Sequence, residues 1–133
     1  MRHQTFSEGS VRFRLFLLGV AVCFAASACS SSEAESGDPS LVVAITDSEI
    51  TIENQTGVSL SKGEVMIMPV GMPRPYVMNF SFTSSGQTRR FPLNSFRQTD
   101  GTPFRRGVAN GKSVRVVATD VTGKELIREV PFE

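Results

Sequence analysis

EITIENQTG, residues 49–57, decides how the rest of the chain is read. Its first five residues alternate strictly, so Ile50 and Ile52 point to one side while Thr51 and Glu53 point to the other. That period of two marks a strand with one buried and one wet face. Asn54-Gln55-Thr56-Gly57 then changes to turn chemistry, with Gly57 able to take a positive φ. From Leu41 onward no apolar stripe with a 3.6-residue period competes with this rhythm.

Working outward, the same rhythm recurs. Leu41–Ile45 is apolar and β-branched, and ends at Thr46-Asp47-Ser48. After a turn at Leu60-Ser61-Lys62, Glu64–Pro69 is expected to form a third strand and Tyr76–Thr83 a fourth, with Met78, Phe80 and Phe82 on one face. Thr88–Phe96 is a fifth, in which Pro92 signals an edge or a bulge because it lacks a ladder donor. Lys112–Thr119 turns Val114, Val116 and Ala118 inward, and Asp120-Val121-Thr122-Gly123 leads by a tight turn into Lys124–Phe132. About seven strands with a turn every 8–12 residues make an all-β chain, an antiparallel β-sandwich with a barrel as the rival closure.

The chain has 133 residues, room for one domain. Its start has a different character. Arg2, Arg12 and Arg14 precede the apolar run Leu15–Ala26, whose 12 residues fall within the range of a secretory signal helix and short of a membrane span. Phe13 separates Arg12 from Arg14, which favours the general secretory route over the twin-arginine one. After the run come small residues, one cysteine and the polar stretch Ser30–Ser40, too hydrophilic to bury anything.

Ala26-Ser27-Ala28-Cys29 resembles the lipobox of bacterial lipoproteins, although Ala26 stands where that family usually has leucine. The resemblance implies a signal peptide of residues 1–28, a mature chain that starts at a lipidated Cys29, and a flexible tether over 29–40. It also implies the bacterial cell envelope as the location, and the outer membrane where there are two. Ala-Ser-Ala would equally satisfy an ordinary signal peptidase. Lipidation accounts better for Cys29, which is the sole cysteine once Cys23 leaves with the signal. Acyl chains, at about 0.8 kcal/mol per buried methylene, would make the attachment essentially permanent.

Residues 41–133 in turn resemble immunoglobulin-like or fibronectin-type-III-like modules of bacterial surface lipoproteins. The likeness rests on strand rhythm, on Ile52–Gly57, on Phe96 with Asp100-Gly101 and Phe104, and on Asp120 with Gly123. The tryptophan and cysteine pair of antibody-type domains are missing, so apolar burial alone must hold the core. The resemblance implies no particular activity.

Several function classes lose their parts. The sole histidine, His3, lies in the signal, which leaves the mature chain no imidazole for a Ser-His-Asp mechanism and no His/Cys set for zinc. No phosphate-cradling loop or EF-hand spacing occurs, so the expectation is a non-enzymatic domain without a cofactor. Residues 29–64 carry seven acids and one base, whereas 65–115 carry eight bases and one acid. The basic half is suited to anionic headgroups or acidic glycans, or else to acids on neighbouring strands. Nucleic acid is not an expected partner, because the mature chain has 11 bases against 12 acids.

Two stretches are candidate sites. Pro69–Tyr76 is stiffened by three prolines, and Met72, Arg74 and Tyr76 offer the apolar and cationic contacts of a recognition loop for an envelope protein or glycan. A tether at the N-terminus is expected to leave this loop facing away from the membrane. The alternative is a lid folded on the core. Met66 and Met68, with Met72 and Met78 nearby, are soft thioethers suited to Cu(I), or else core filler. Asn54-Gln55-Thr56 and Asn79-Phe80-Ser81 match the glycosylation sequon, which carries no weight in a bacterial chain.

Overall fold

The computed structural model describes residues 35–132; the signal segment and Cys29 lie outside the described residues. The described chain is all-β. In order come β1 (Ser36–Gly37), β2 (Leu41–Ile45), β3 (Glu49–Asn54), β4 (Leu60–Pro69), β5 (Tyr76–Phe80), β6 (Thr88–Pro92), β7 (Gly111–Asp120) and β8 (Glu125–Pro131). They form two antiparallel sheets, β1-β8-β7-β4-β5 and β2-β3-β6. Both sheets are open, with the apolar faces packed together, which makes a sandwich rather than a barrel.

Alternation builds the core. Ile50 and Ile52 are fully buried from one sheet, opposite Val65, Ile67, Val114, Val116 and Ala118 from the other. Val43 and Ile45 of β2 and Met78 of β5 pack against that core while remaining partly exposed. Phe80 lays its ring over Gly63 of β4, where a Cβ would lie 2.0 Å from the ring, so the glycine makes room for the aromatic. Pro92 ends the edge strand β6 opposite Glu49, where no missing donor is felt.

Besides β6, which ends at Pro92 and gives way to a 3-10 turn over Leu93–Ser95 instead of running on to Phe96, three boundaries differ from the sequence reading. Leu60-Ser61-Lys62 is strand rather than turn, because β4 runs ten residues and absorbs a register shift at this point against β7. β5 stops at Phe80, and Phe82 is 54 % exposed instead of sharing the inward face. Thr83 next to it is buried and exchanges both backbone hydrogen bonds with Leu60 (2.8 and 2.9 Å), which turns the chain out of the sheet.

The third difference lies in the stretch expected to be tether. Residues 36–37 pair with β8, and the Asp38 N–H donates to the Ile127 carbonyl at 2.7 Å. Gly37 makes this possible: its φ is +94°, and a Cβ there would sit 2.1 Å from the Ile127 oxygen. Glu35 pairs with Arg128, whose side chain is 13 % exposed. The described fold therefore includes Glu35, six residues ahead of the expected boundary at Leu41.

One local device recurs in the turns. Asp38 with Ser40, Asn54 with Thr56, Asp100 with Thr102 and Asp120 with Thr122 each close an Asx turn, the side-chain oxygen accepting from the backbone N–H two residues on at 2.8–3.1 Å. Asn54 is fully buried, its Nδ2 donating to Val58 O (2.8 Å) and Thr83 O (3.3 Å). That removes it as an accessible sequon. The three aspartates are held below the usual carboxylate range by these bonds. The Ser40 side chain dominates for Asp38, the Thr102 backbone for Asp100 and the Thr122 side chain for Asp120.

Candidate functional site

Because the strands are antiparallel, the loops collect at two ends. The hairpin end holds turns 55–59, 81–87 and 121–124. The crossover end holds turn 46–48, loop 70–75 and the long connection 93–110 that carries the chain from β6 to β7. The connection is anchored by aromatics. Phe96 and Phe104 are fully buried; Phe96 meets Phe91 (6.5 Å between centroids), while Phe104 packs edge-on against Tyr76 (5.2 Å) and Phe132 (5.7 Å).

Loop 70–75 rests on this plug. Val70 N–H donates to Asn110 O at 2.9 Å, Val77 N–H donates to Arg97 O at 2.8 Å, and Gln98 Nε2 donates to Arg74 O at 3.1 Å. Arg106 ties the neighbouring turn in place: its guanidinium contacts Asp47 Oδ1 at 2.5 Å and lies 5.4 Å over the Phe132 ring. Beside it lies an open depression of about 430 Å³ bordered by Asp47, Leu93, Phe104, Arg105 and Arg106.

The structure divides the residues singled out in loop 69–76. Met72 is 54 % exposed and Arg74 is exposed, so both present their side chains to solvent. Tyr76 is 4 % exposed and belongs to the core, since the first residue of β5 faces inward onto Phe104; it is unavailable as a recognition residue. The reading as a lid holds for Tyr76 alone. Val70 (59 %) and Val108 (83 %), on either side of the Val70–Asn110 contact, add exposed apolar surface that the sequence reading did not bring together.

The orientation relative to the tether also changes. β1 runs antiparallel to β8 with Ser36 opposite Glu129 and Gly37 opposite Arg128, so Glu35 lies on the crossover side of β1. The described chain thus starts at the same end of the sandwich as loop 70–75, on the opposite edge of the five-stranded sheet from it, rather than at the opposite end. The reversal comes from β1, a strand of two residues with no hydrophobic pattern to announce it.

The methionines do not converge as a set of four. Met66 and Met68 share the half-exposed outer face of β4, between Val77 on β5 and Arg115 and Ser113 on β7. Met78 pairs with Val65 and turns toward the core, and Met72 sits in the loop. Among the described residues there is no group of three or more His, Cys, Asp or Glu able to hold a metal, and no helix long and apolar enough to cross a membrane.

The charge asymmetry is partly absorbed by pairing across strands. Arg90 of β6 meets Glu49 of β3 at 2.9 Å, and Arg115 stands opposite Glu129 in the β7–β8 register. The crossover end keeps an excess: turn 46–48, loop 70–75 and residues 93–112 carry five bases (Arg74, Arg97, Arg105, Arg106, Lys112) against two acids (Asp47, Asp100). The turns of the hairpin end, 38–40, 55–59, 81–87 and 120–124, carry Lys124 against Asp38 and Asp120. Set beside known proteins, the chain matches no protein-family model and no curated sequence.

Proposed function

We propose that this protein is a bacterial envelope lipoprotein, anchored through lipidated Cys29, whose immunoglobulin-like sandwich acts without catalysis as a binding or supporting module. The observation that carries the reading is the order Ala26-Ser27-Ala28-Cys29, a short polar stretch, and then a folded domain whose strands start at Ser36. An exported chain with one unpaired thiol ahead of its domain finds in a thioether a role for that thiol.

The immunoglobulin-like assignment is supported by strand order. With β2–β8 lettered A, B, C, C′, E, F and G, the three-stranded sheet reads A-B-E and the other G-F-C-C′ with β1 added outside G. That is the two-sheet partition of immunoglobulin-type sandwiches with an extra C′ strand. Such modules present loops at their ends, and here the exposed candidates Met72 and Arg74 lie in one such loop. An envelope protein or an acidic glycan is the class of partner this loop suits.

The anchor is tested by metabolic labelling with a palmitate analogue. The native chain is expected to take the label and fractionate with membranes; Cys29→Ser is expected to lose both. Label that survives the substitution refutes the anchor. In vivo crosslinking of the native lipoprotein then captures the partner, and Met72→Ala with Arg74→Ala is expected to weaken that capture. Recovery of no specific species with the native chain, or undiminished capture with the variant, refutes the binding role of the loop.

A further inference from the structure

The crossover end combines three features that the hairpin end lacks in combination. First, it exposes Val70 (59 %), Met72 (54 %) and Val108 (83 %) on two adjoining loop tips. Second, it carries five bases against two acids, with Arg74 and Arg105 exposed beside those tips. Third, the described chain starts on its side, at Glu35.

The third feature sets a distance. Six residues separate Cys29 from Glu35, a reach of about 20 Å at most when fully extended. From the level of Val130, beside Glu35, back to Glu125 at the hairpin end is five residues of strand, or about 17 Å. A tether folded back along the domain would spend nearly all its length reaching the last strand residues, leaving little for the turns beyond them. Toward the crossover end, β8 itself has only Pro131 and Phe132 beyond that level among the described residues. An anchor at Cys29 therefore holds the crossover end next to the bilayer.

We propose that the crossover end docks onto an anionic lipid surface, with Val70, Met72 and Val108 entering the headgroup layer and Arg74 and Arg105 meeting lipid phosphates. The inference rests on the anchor reading above and gives loop 70–75 to the bilayer in place of an envelope protein or glycan. Apolar tips ringed by arginine suit the interface, where apolar burial and attraction to anionic headgroups act together. Attraction to the surface adds about fivefold to the docked population for each arginine close to it. The outward face is then the hairpin end, with Phe82 and Val121 exposed (54 % and 56 %) and turned away from the bilayer.

The test places a chain of residues 29–133, which holds every strand and core residue, on vesicles by coupling the Cys29 thiol to a maleimide lipid. Amide exchange read by mass spectrometry is compared between phosphatidylglycerol-containing vesicles and pure phosphatidylcholine vesicles. Residues 70–75 and 105–110 are expected to exchange more slowly on the anionic vesicles, and residues 81–87 and 121–124 to exchange equally on both. Replacing Arg74→Gln and Arg105→Gln together is expected to cut the docked-to-undocked ratio about 30-fold, as is expected for two surface-facing charges. Phe82→Ser with Val121→Ser is expected to change nothing.

Equal exchange of 70–75 and 105–110 on both vesicles overturns the proposal, as does protection confined to 81–87 and 121–124. Failure of the anchor reading shows separately, as Cys29 without fatty-acid label in cells, because the maleimide link attaches the chain whatever the cell does.

Discussion

Gly37→Val probes the docking of β1, on which the direction of the tether depends. A Cβ at Gly37 would lie 2.1 Å from the Ile127 carbonyl oxygen and 2.9 Å from the Arg128 Cα, both backbone atoms that no rotamer change can move. The residue also has φ +94°, a region that β-branched side chains avoid at a cost of order 1–3 kcal/mol. The strand must therefore leave β8. What is lost is the short ladder with β8, the Asp38–Ile127 bond and the Glu35–Arg128 pair, each worth about 1 kcal/mol or less. Release returns the backbone entropy of residues 35–38, which opposes that loss.

The net change in global stability is expected to stay within about 1 kcal/mol, a shift in Tm of less than about 8 °C for a domain of this size. The local change is large. The Asp38 amide is expected to lose its protection in native-state hydrogen exchange, while the amides of the β4–β7 ladder keep theirs. The first strand residue held in a sheet moves from Ser36 to Leu41, raising the greatest reach of the chain that leads from Cys29 to it from about 20 Å to about 40 Å. An Asp38 amide as protected in Gly37→Val as in the native chain refutes the close-approach argument. A domain unfolded outright by the substitution would place β1 within the cooperative core and refute the ledger.

Loop 69–76 is expected to split on alanine scanning: Tyr76→Ala removes a buried ring packed on Phe104 and lowers stability by about 3–5 kcal/mol, whereas Met72→Ala and Arg74→Ala change it by less than about 0.5 kcal/mol. Urea unfolding of the three variants checks this, and a stable Tyr76→Ala chain refutes the core assignment. Asn54→Ala strips two donors and one acceptor from a buried turn and is expected to cost about 2–4 kcal/mol, read as a lower urea midpoint with an unchanged slope. Asp38, Asp100 and Asp120 have folded-state pKa values below their unfolded ones, so their stabilisation is complete above the unfolded value of about 3.9. It is lost as pH falls through the folded values, so the urea midpoint is expected to hold level from neutral pH down to about 5 and to drop below about 4. A midpoint that rises on acidification refutes the Asx-turn account.

Strands whose side chains alternate could be read directly, because burial on one face imposes a period of two that no other structure shares. Glu49–Glu53, Lys112–Thr119 and the turn at Asp120–Gly123 fall close to where that pattern places them. Where the pattern weakens, local chemistry misled. Leu60–Lys62 has turn-like residues yet extends β4, since pairing with β7 outweighs propensity. Phe82 continues an apolar alternation that the Thr83–Leu60 bridge cuts short. The four Asx turns were visible as Asp or Asn two residues before Ser or Thr, a spacing that also reads as a sequon at Asn54.

By itself, then, the sequence determined an all-β domain with a core made from alternating apolar positions, the absence of histidine after His3, and the absence of cysteine after Cys29. Each follows from composition or from contacts between near neighbours along the chain. Tertiary structure decided that the strands close into two open sheets of five and three, that Tyr76 is core while Met72 and Arg74 are surface, and that Val70 bonds to Asn110, two residues from Val108. It also decided which end the tether leaves, through β1 and a glycine pressed against a carbonyl 90 residues away. Pairings across such separations depend on loop closure and on the fit between two surfaces, and neither leaves a periodic trace in one segment.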